Sequence, residues 1–362
     1  MRGTRLELRS ESLLHNARVA RQLSNGAAVF AMVKANGYGH GLVFVARTLA
    51  PEVDGFGVAL LEEAVALRQA GVTAPIMLLE GVFDADELML AATLGCELIV
   101  HSDWQLELLE SASLAAQVGV WLKLDTGMHR LGLTLAQLDT AVTRLNRCAG
   151  AFLAGMVSHF ACADMTDDAM SAGQLEKVRA AAERFGVPYS AANSAAIFRY
   201  PQSAGSRVRP GIMLYGSSPF TDRSAQSLGL QVTQRLSARV IAVNNVPTGD
   251  AVGYGSSWRA QRDSRIAVVA IGYGDGYPRH APSGTPVAVR NADDIWRRAA
   301  LAGRVSMDMI TIDVTDLPLT RVGDEVELWG DQVSVDDVAQ HCATISYELF
   351  CRLTMRPARS ER

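Results

Sequence analysis

Cysteine is scarce in this chain: Cys96, Cys148, Cys162, Cys342 and Cys351 are the only five in 362 residues, and no two are spaced as CxxC. An odd, scattered set argues against a disulfide scaffold and fits a reducing, cytoplasmic setting. No run approaches the ~18–20 consecutive apolar residues that a membrane span requires, so none is expected. The opening stretch Met1-Arg2-Gly3-Thr4-Arg5-Leu6-Glu7-Leu8-Arg9 alternates charged with apolar residues and lacks the apolar middle of a secretion signal. Neither sign of charge dominates: 34 basic residues face 38 acidic ones for a net −4, which gives no footprint for nucleic acid. There is no HExxH, and His159 with Cys162 makes only an HxxC, so no metal site is expected. The glycine clusters at 37–41 and 272–276 match neither a Walker loop nor GxGxxG, which disfavours nucleotide binding. What is abundant is apolar surface, 49% of residues against 20% charged, as in a globular protein with a full core.

At roughly 150 residues per domain the length suggests two domains, although α/β barrels exceed 200 residues as one unit. Eight apolar runs read as buried parallel strands: 27–34, 55–60, 75–79, 97–100, 118–124, 152–159, 189–193 and 208–214. Helix-like stretches lie between them. Examples are 61–70 closed by Gly71, 135–147 started by Thr134, and 173–184 entered through Asp167 and Asp168 and closed by Gly186. Strand followed by helix, repeated eight times, is the pattern of a (β/α)8 TIM-like barrel, with a doubly wound open sheet as its structural rival. Near 225–235 the pattern changes to short strands at 239–243, 265–271, 287–289, 309–314 and 326–329, separated by Gly and Asn/Asp breaks. These read as a small, mainly antiparallel β domain, with a late helix at 335–341 and a strand or helix at 347–353. The expected division is residues 1–230, the barrel, and 231–362, the β-rich domain.

Barrel enzymes place their chemistry at the carboxyl ends of the strands. Here those ends supply Lys34, then Lys123 and Arg130, His159, Ser194 and Arg209, interleaved with glycines that let a ligand approach the backbone. A basic, glycine-lined mouth suits an anionic ligand, most naturally a phosphate. Lys34 by position alone serves equally as a salt-bridge partner, but a desolvated lysine among cations becomes a nucleophile for carbonyls. Pyridoxal phosphate needs such a lysine, a phosphate cradle and a partner for its ring nitrogen. Ser194 with the amides of Gly211 and Ile212 could form the cradle, and Arg209 could face the nitrogen. Taken singly, Ser194 and Arg209 are ordinary cap or surface residues, His159 a core histidine and Tyr254 a turn tyrosine.

The segment AMVKANGYGHG (31–41) resembles the pyridoxal phosphate attachment site of alanine racemases. The likeness continues in order through LKLDTGMHRLG (122–132), SHFACAD (158–164), AANSAA (191–196), RPGIMLYG (209–216), VGYG (252–255), IGYGDG (271–276) and GRVSMDM (303–309). It spans both expected domains, and the family's barrel followed by a β domain is the architecture read above without it. The resemblance implies an isomerase that interconverts L- and D-alanine, either supplying D-alanine for peptidoglycan or serving alanine catabolism. Lys34 would carry the cofactor and act as the base on the D face, and Tyr254 would be the opposite base, working on the L enantiomer. A tyrosine working near neutral pH needs positive charge beside it, since its free pKa is about 10.

Because Tyr254 lies in the β domain, the family places it in the partner subunit's site, which implies a homodimer with shared sites. Arg209 is a donor only and stays charged, so it would keep the ring nitrogen unprotonated and favour reprotonation at the α-carbon over transamination. His159 would hold the ring, and Tyr38, Ser194, Gly211 and Ile212 the phosphate. Arg130 and the Met307 amide would bind the substrate carboxylate, and Tyr273 would narrow the entrance to favour a methyl side chain. Lys123 stands where many members carry a carbamylated lysine that positions the neighbouring arginine. Three positions depart from the pattern: Met355 in place of a phosphate-touching tyrosine, Ser306 for a cysteine, and His129 for a glycine. Two alternatives accompany this reading, a racemase of another small amino acid such as serine and a non-catalytic cofactor-binding protein.

Overall fold

The computed structural model describes residues 3–362; Met1 and Arg2, which open the stretch judged too polar for a secretion signal, lie outside it. The chain divides into two compact units, Leu13–Gln231 and a second made of Met1–Ser12 with Val232–Arg362. The junction near 231 therefore coincides with the change of pattern in the sequence. The amino-terminal dozen residues, in contrast, group with the β-rich unit and not with the barrel.

In the first unit the strands Ala28–Met32, Gly55–Val58, Ile76–Leu78, Cys96–Val100, Val118–Lys123, Ala151–Val157 and Tyr189–Ser190 pair in parallel, each with the next. Arg207–Val208 pairs in parallel with Ala28–Met32. The ring closes where Ser206 N donates to Tyr189 O (2.9 Å) and Arg209 N to Ala192 O (2.8 Å). Helices cover the outer face and the strands' own side chains fill the interior, so both faces are buried and the strands read as unbroken apolar runs rather than as alternating ones. The eighth strand is shorter than the run 208–214 suggested. Pro210 has no N–H to give, and the chain turns into a 3-10 segment at Ile212–Tyr215, although Pro210 O still accepts from Met32 N at 2.9 Å.

Packing inside the barrel alternates large with small. A side chain at Gly155 would meet the Trp121 ring at 2.4 Å, so only glycine leaves room for that fully buried indole. Arg207 stacks its guanidinium 4.3 Å from the Phe30 ring centroid and 4.5 Å from that of Trp121. Both Glu97 carboxylate oxygens accept from Arg207, and Trp121 Nε1 donates to Glu97 Oε2 at 2.9 Å. Three adjacent or opposing strands are thus tied through one arginine.

The second unit is an eight-stranded sheet in the order Ser264–Val269, Ile310–Asp313, Trp296–Leu301, Pro286–Arg290, Glu325–Trp329, Gln234–Val246, Arg5–Leu8 and Ala358–Glu361. The long Gln234–Val246 strand also pairs with Ser264–Val269 beyond a bulge at Val240/Ala242, so the sheet curls back on itself. All pairings are antiparallel except the outermost, where Arg5 lies opposite Ala358 in parallel. The alternation Arg5-Leu6-Glu7-Leu8 is a strand whose leucines are buried. Helices occupy Val335–His341 and Ser346–Cys351. No helix among the described residues is long and apolar enough to cross a membrane.

Candidate active site

Lys34 follows the first barrel strand and opens a turn with unusual backbone geometry. Ala35 (φ 53, ψ 51), Asn36 (φ 55, ψ 46) and Gly37 (φ 60, ψ 46) form a left-handed turn that Tyr38 (φ 49) extends. Left-handed geometry costs a non-glycine residue roughly 1–2 kcal/mol, so consecutive examples persist only when the surroundings impose them. The surroundings are specific. Glu63, in the first turn of the helix Leu61–Gln69, accepts from Ala35 N (2.7 Å) with one oxygen and from Ala59 N (2.9 Å) with the other. Asn36 Oδ1 accepts from Leu42 N (2.9 Å), and Tyr38 stacks on Tyr215 with centroids 4.5 Å apart. Tyr215 in turn donates its hydroxyl to Met32 O at 2.8 Å. The turn thereby presents Lys34 at the strand end and folds Tyr38 back beside it.

Tyr38 reaches Gly211: a Cβ there would lie 2.6 Å from the Tyr38 hydroxyl. Ser194 Oγ accepts from Gly211 N (2.8 Å) and Met213 N (3.4 Å) and opens the helix Ser194–Arg199, whose cap Asn193 accepts from Ala196 N at 3.0 Å. The Tyr38 hydroxyl, the Ser194 hydroxyl and the Gly211–Ile212 backbone therefore gather in one place. It is a small polar cradle of the kind that holds a phosphate.

Arg209 is buried, and among the described residues it has no carboxylate partner. Its guanidinium donates to Ser158 O (2.6 Å), Ala191 O (3.3 Å) and Ser190 Oγ. Burial pulls its pKa down to about 10, which still leaves it charged near neutrality. Lys123, at the end of the fifth strand, is pushed down to about 8 by burial and by Arg209, Arg130 and Lys34, with Glu80 opposing. Burial, the same three cations and Lys123 itself hold His159 at about 3, so its ring is neutral at physiological pH. Arg130 is exposed and makes no hydrogen bond or ion pair among the described residues. An open recess is lined by Lys123, Thr126, Met128, Arg130, Ser158 and His159. The barrel-borne residues singled out from the sequence thus fall into one cationic cluster with an adjoining cradle.

The remaining three lie in the β unit. Tyr254 sits in the turn Tyr254–Ser256, between Ala251–Val252 and Trp258–Arg259, and is 68% exposed. A Cβ at Gly255 would come 3.2 Å from the Arg304 guanidinium carbon, so positive charge lies against this turn. Tyr273 and Met307 are neighbours: Tyr273 N donates to Ser306 O (3.1 Å) and Gly274 N to Met307 O (2.8 Å). The Met307 N–H makes no hydrogen bond among the described residues, and the residue is 54% exposed. Arg356 holds the two loops together, donating to Asp308 Oδ1 (2.7 Å) and standing 3.5 Å from buried Asp275. Ser306 takes part through its backbone, and Met355 is exposed. Sequence reasoning passed over Glu63, Tyr215 and Arg356, which shape the site without lining it. The Asn/Gly-rich string after Lys34 is the sequence signal from which the left-handed turn could have been read.

Comparison with known proteins covers both units. The family model "Alanine racemase, N-terminal domain" matches residues 8–219, and "Alanine racemase, C-terminal domain" matches 233–361. A protein of Alcanivorax borkumensis named alanine racemase is 56% identical over 360 residues, covering 99% of each chain. A Pseudomonas putida protein named "Alanine racemase, catabolic" is 45% identical over 357 residues, 99% of this chain and 98% of its own. Among solved structures, the biosynthetic alanine racemase of Pseudomonas aeruginosa superimposes with a TM-score of 0.95 at 44% identity, covering 100% of both chains. With both domain models matched in order and full-length relatives at this identity, the chain belongs to the alanine racemase family.

Proposed function

We propose that this protein is a pyridoxal phosphate-dependent isomerase that interconverts L- and D-alanine, with Lys34 and Tyr254 as its two bases. The observation that carries the reading is Arg209, a buried cation bonded only to carbonyl oxygens and a hydroxyl. It can only donate a hydrogen bond, keeps its own proton and has no carboxylate to share, so it suits a pyridine nitrogen that must stay unprotonated. The other residues suit the same group: Lys34 for attachment, His159 as a neutral ring beside it, and the cradle of Tyr38, Ser194, Gly211 and Ile212 for the phosphate. Bound there, pyridoxal phosphate supplies an electron sink that makes the substrate α-proton removable.

Lys34 Nζ takes or returns the α-proton on the D face, and the Tyr254 oxygen does so on the other. Two bases on opposite faces are what inversion requires. The Arg130 guanidinium and the free Met307 N–H hold the substrate carboxylate, and Tyr273 limits the side chain to about a methyl group. A carbamate on Lys123 holds Arg130 in place; the low pKa of Lys123 supports this, since only the neutral amine adds carbon dioxide.

Tyr254 and Met307 serve the site of a second copy in a homodimer. Their exposure supports this, as do the exposed apolar side chains Leu60, Phe83 and Trp104, which follow the second, third and fourth barrel strands. Exposed groups of this kind mark association surfaces. The five free cysteines suit a cytoplasmic setting. The reaction either supplies D-alanine for peptidoglycan or serves alanine catabolism.

The test is to load the purified protein with cofactor and follow the chirality of single-enantiomer amino acids. Rapid interconversion of alanine, slower for serine and absent for lysine and arginine, is expected. Fast turnover of a basic or bulky amino acid would overturn the substrate, and cofactor absorbance without turnover would favour a binding protein. Lys34→Ala should abolish racemisation, and mixing it with Tyr254→Phe protomers should restore part of it. Hybrid dimers that form yet stay inactive would count against shared sites.

A further inference from the structure

His129 is one of the departures from the family pattern that the proposed mechanism leaves unused, and the structure gives it a role. The loop 125–133 carries Arg130, whose guanidinium has no partner among the described residues, so the loop backbone, together with the carbamate proposed on Lys123, sets where that charge stands. One carboxylate organises the backbone. Asp125 Oδ1 accepts from Gly127 N (3.0 Å) and His129 N (3.0 Å), while Oδ2 meets His129 Nδ1 at 2.8 Å. A carboxylate has no proton to offer, so Nδ1 carries the hydrogen. Burial would raise the Asp125 pKa, but these three bonds outweigh it and hold the carboxyl below its usual range.

The two ends of the loop are fixed independently. Asp125 N donates to Leu133 O (3.0 Å) and Leu133 N to Lys123 O (2.8 Å). A Cβ at Gly132 (φ 136) would collide with Asp125 N at 2.5 Å, so the loop closes tightly on its own base. Thr126 is anchored through Ser158 (2.7 Å) and Gln174 (3.2 Å). What remains to be fixed is the tip, residues 127–131, and Asp125 is the side chain that holds it. His129 adopts φ 54 to do so, a geometry that histidine tolerates better than most residues and that brings its ring over the carboxylate.

We infer that Asp125 and His129 form a latch that positions Arg130, and that through it Asp125 sets the affinity for the amino-acid carboxylate. The inference rests on the proposed role of Arg130. Asp125 is a positioning residue: it touches neither substrate nor cofactor in this account.

Asp125→Ala should raise KM for both alanine enantiomers about tenfold while kcat changes by less than about threefold. Hydrogen exchange at residues 127–131 should quicken in the same variant, read without cofactor or substrate. In an Arg130→Ala background, Asp125→Ala should add less than about twofold to KM, because its effect runs through the arginine. His129→Gly, which keeps the two amide bonds to Asp125, should give a smaller KM rise than Asp125→Ala. Should Asp125→Ala fail to fold, Asp125→Asn keeps an acceptor for those amides and should also raise KM. An unchanged KM in the Asp125 variants, or an equal rise with and without Arg130, overturns the latch. A wild-type protein that does not racemise alanine overturns the proposed function instead, and unchanged exchange in the loop then still overturns the latch.

Discussion

A lysine amine near pKa 8 is neutral often enough at neutral pH to react with carbon dioxide, and Lys123 reaches that value by losing water and facing three cations. A bare ammonium there would repel Arg130, whereas a carbamate would attract it. The intact protein, measured without acid in bicarbonate buffer, should be heavier by one carbon dioxide, and Lys123→Ala should abolish the increment; density or mass for a bare amine sinks the idea. His159 makes a second prediction. Free histidine titrates near 6.5, but the folded protein holds His159 at about 3. The unfolded chain therefore takes up a proton that the folded one refuses, so this contribution to stability is complete above pH ~6.5 and is lost as pH falls toward 3. Urea unfolding of cofactor-free protein should weaken from pH 7 to 5 more in the native sequence than in His159→Gln; parallel declines would remove His159 from the account. At this scale the sequence was informative about cations, because lysine and arginine beside glycine at strand ends are conspicuous. It was silent about Glu63 and Arg356, since bonds from carboxylates to amides, or from a guanidinium across two loops, follow no period.

The turn after Lys34 shows what one element can store. Its left-handed residues are held by Glu63, whose two oxygens bind amides on either side of the gap between the first two strands. Glu63→Ala leaves both amides without that partner and should cost about 1–3 kcal/mol. Ala35→Gly removes a Cβ from a left-handed position and should stabilise by up to about 1 kcal/mol, the relief exceeding glycine's extra chain entropy. Chemical denaturation distinguishes the two signs, and a destabilising Ala35→Gly would show that the turn is not strained there. Regular elements were the most legible: the run at 335–341 is a helix with those limits, and seven of the eight barrel runs lie over strands within a few residues. Trp296–Leu301 escaped notice because Trp-Arg-Arg-Ala-Ala-Leu has no β-branched residue; its strand character comes from antiparallel partners on both sides. The run 347–353, left open between strand and helix, is helical over Ser346–Cys351.

At the scale of the whole molecule, the barrel depends on contacts far apart in sequence. Arg207→Ala strips Glu97 of its cation and Phe30 and Trp121 of a stacked guanidinium. With both charged side chains about a fifth exposed, the expected loss is roughly 2–3 kcal/mol, below that for a fully buried pair. Glu97→Gln in the same background should recover part of it, and additive losses would mean the two act separately. The two-part organisation was legible from the change in rhythm near 230; the return of the amino-terminal strand was not, because four residues carry too little pattern to name a partner 230 residues away. That return has a consequence for biosynthesis. Arg5–Leu8 is made before both of its neighbours, Gln234–Val246 and Ala358–Glu361. During translation it must wait, unpaired, while the whole barrel is produced. It is an unpaired strand with open hydrogen-bonding groups for that interval, a segment on which chaperone contact would act.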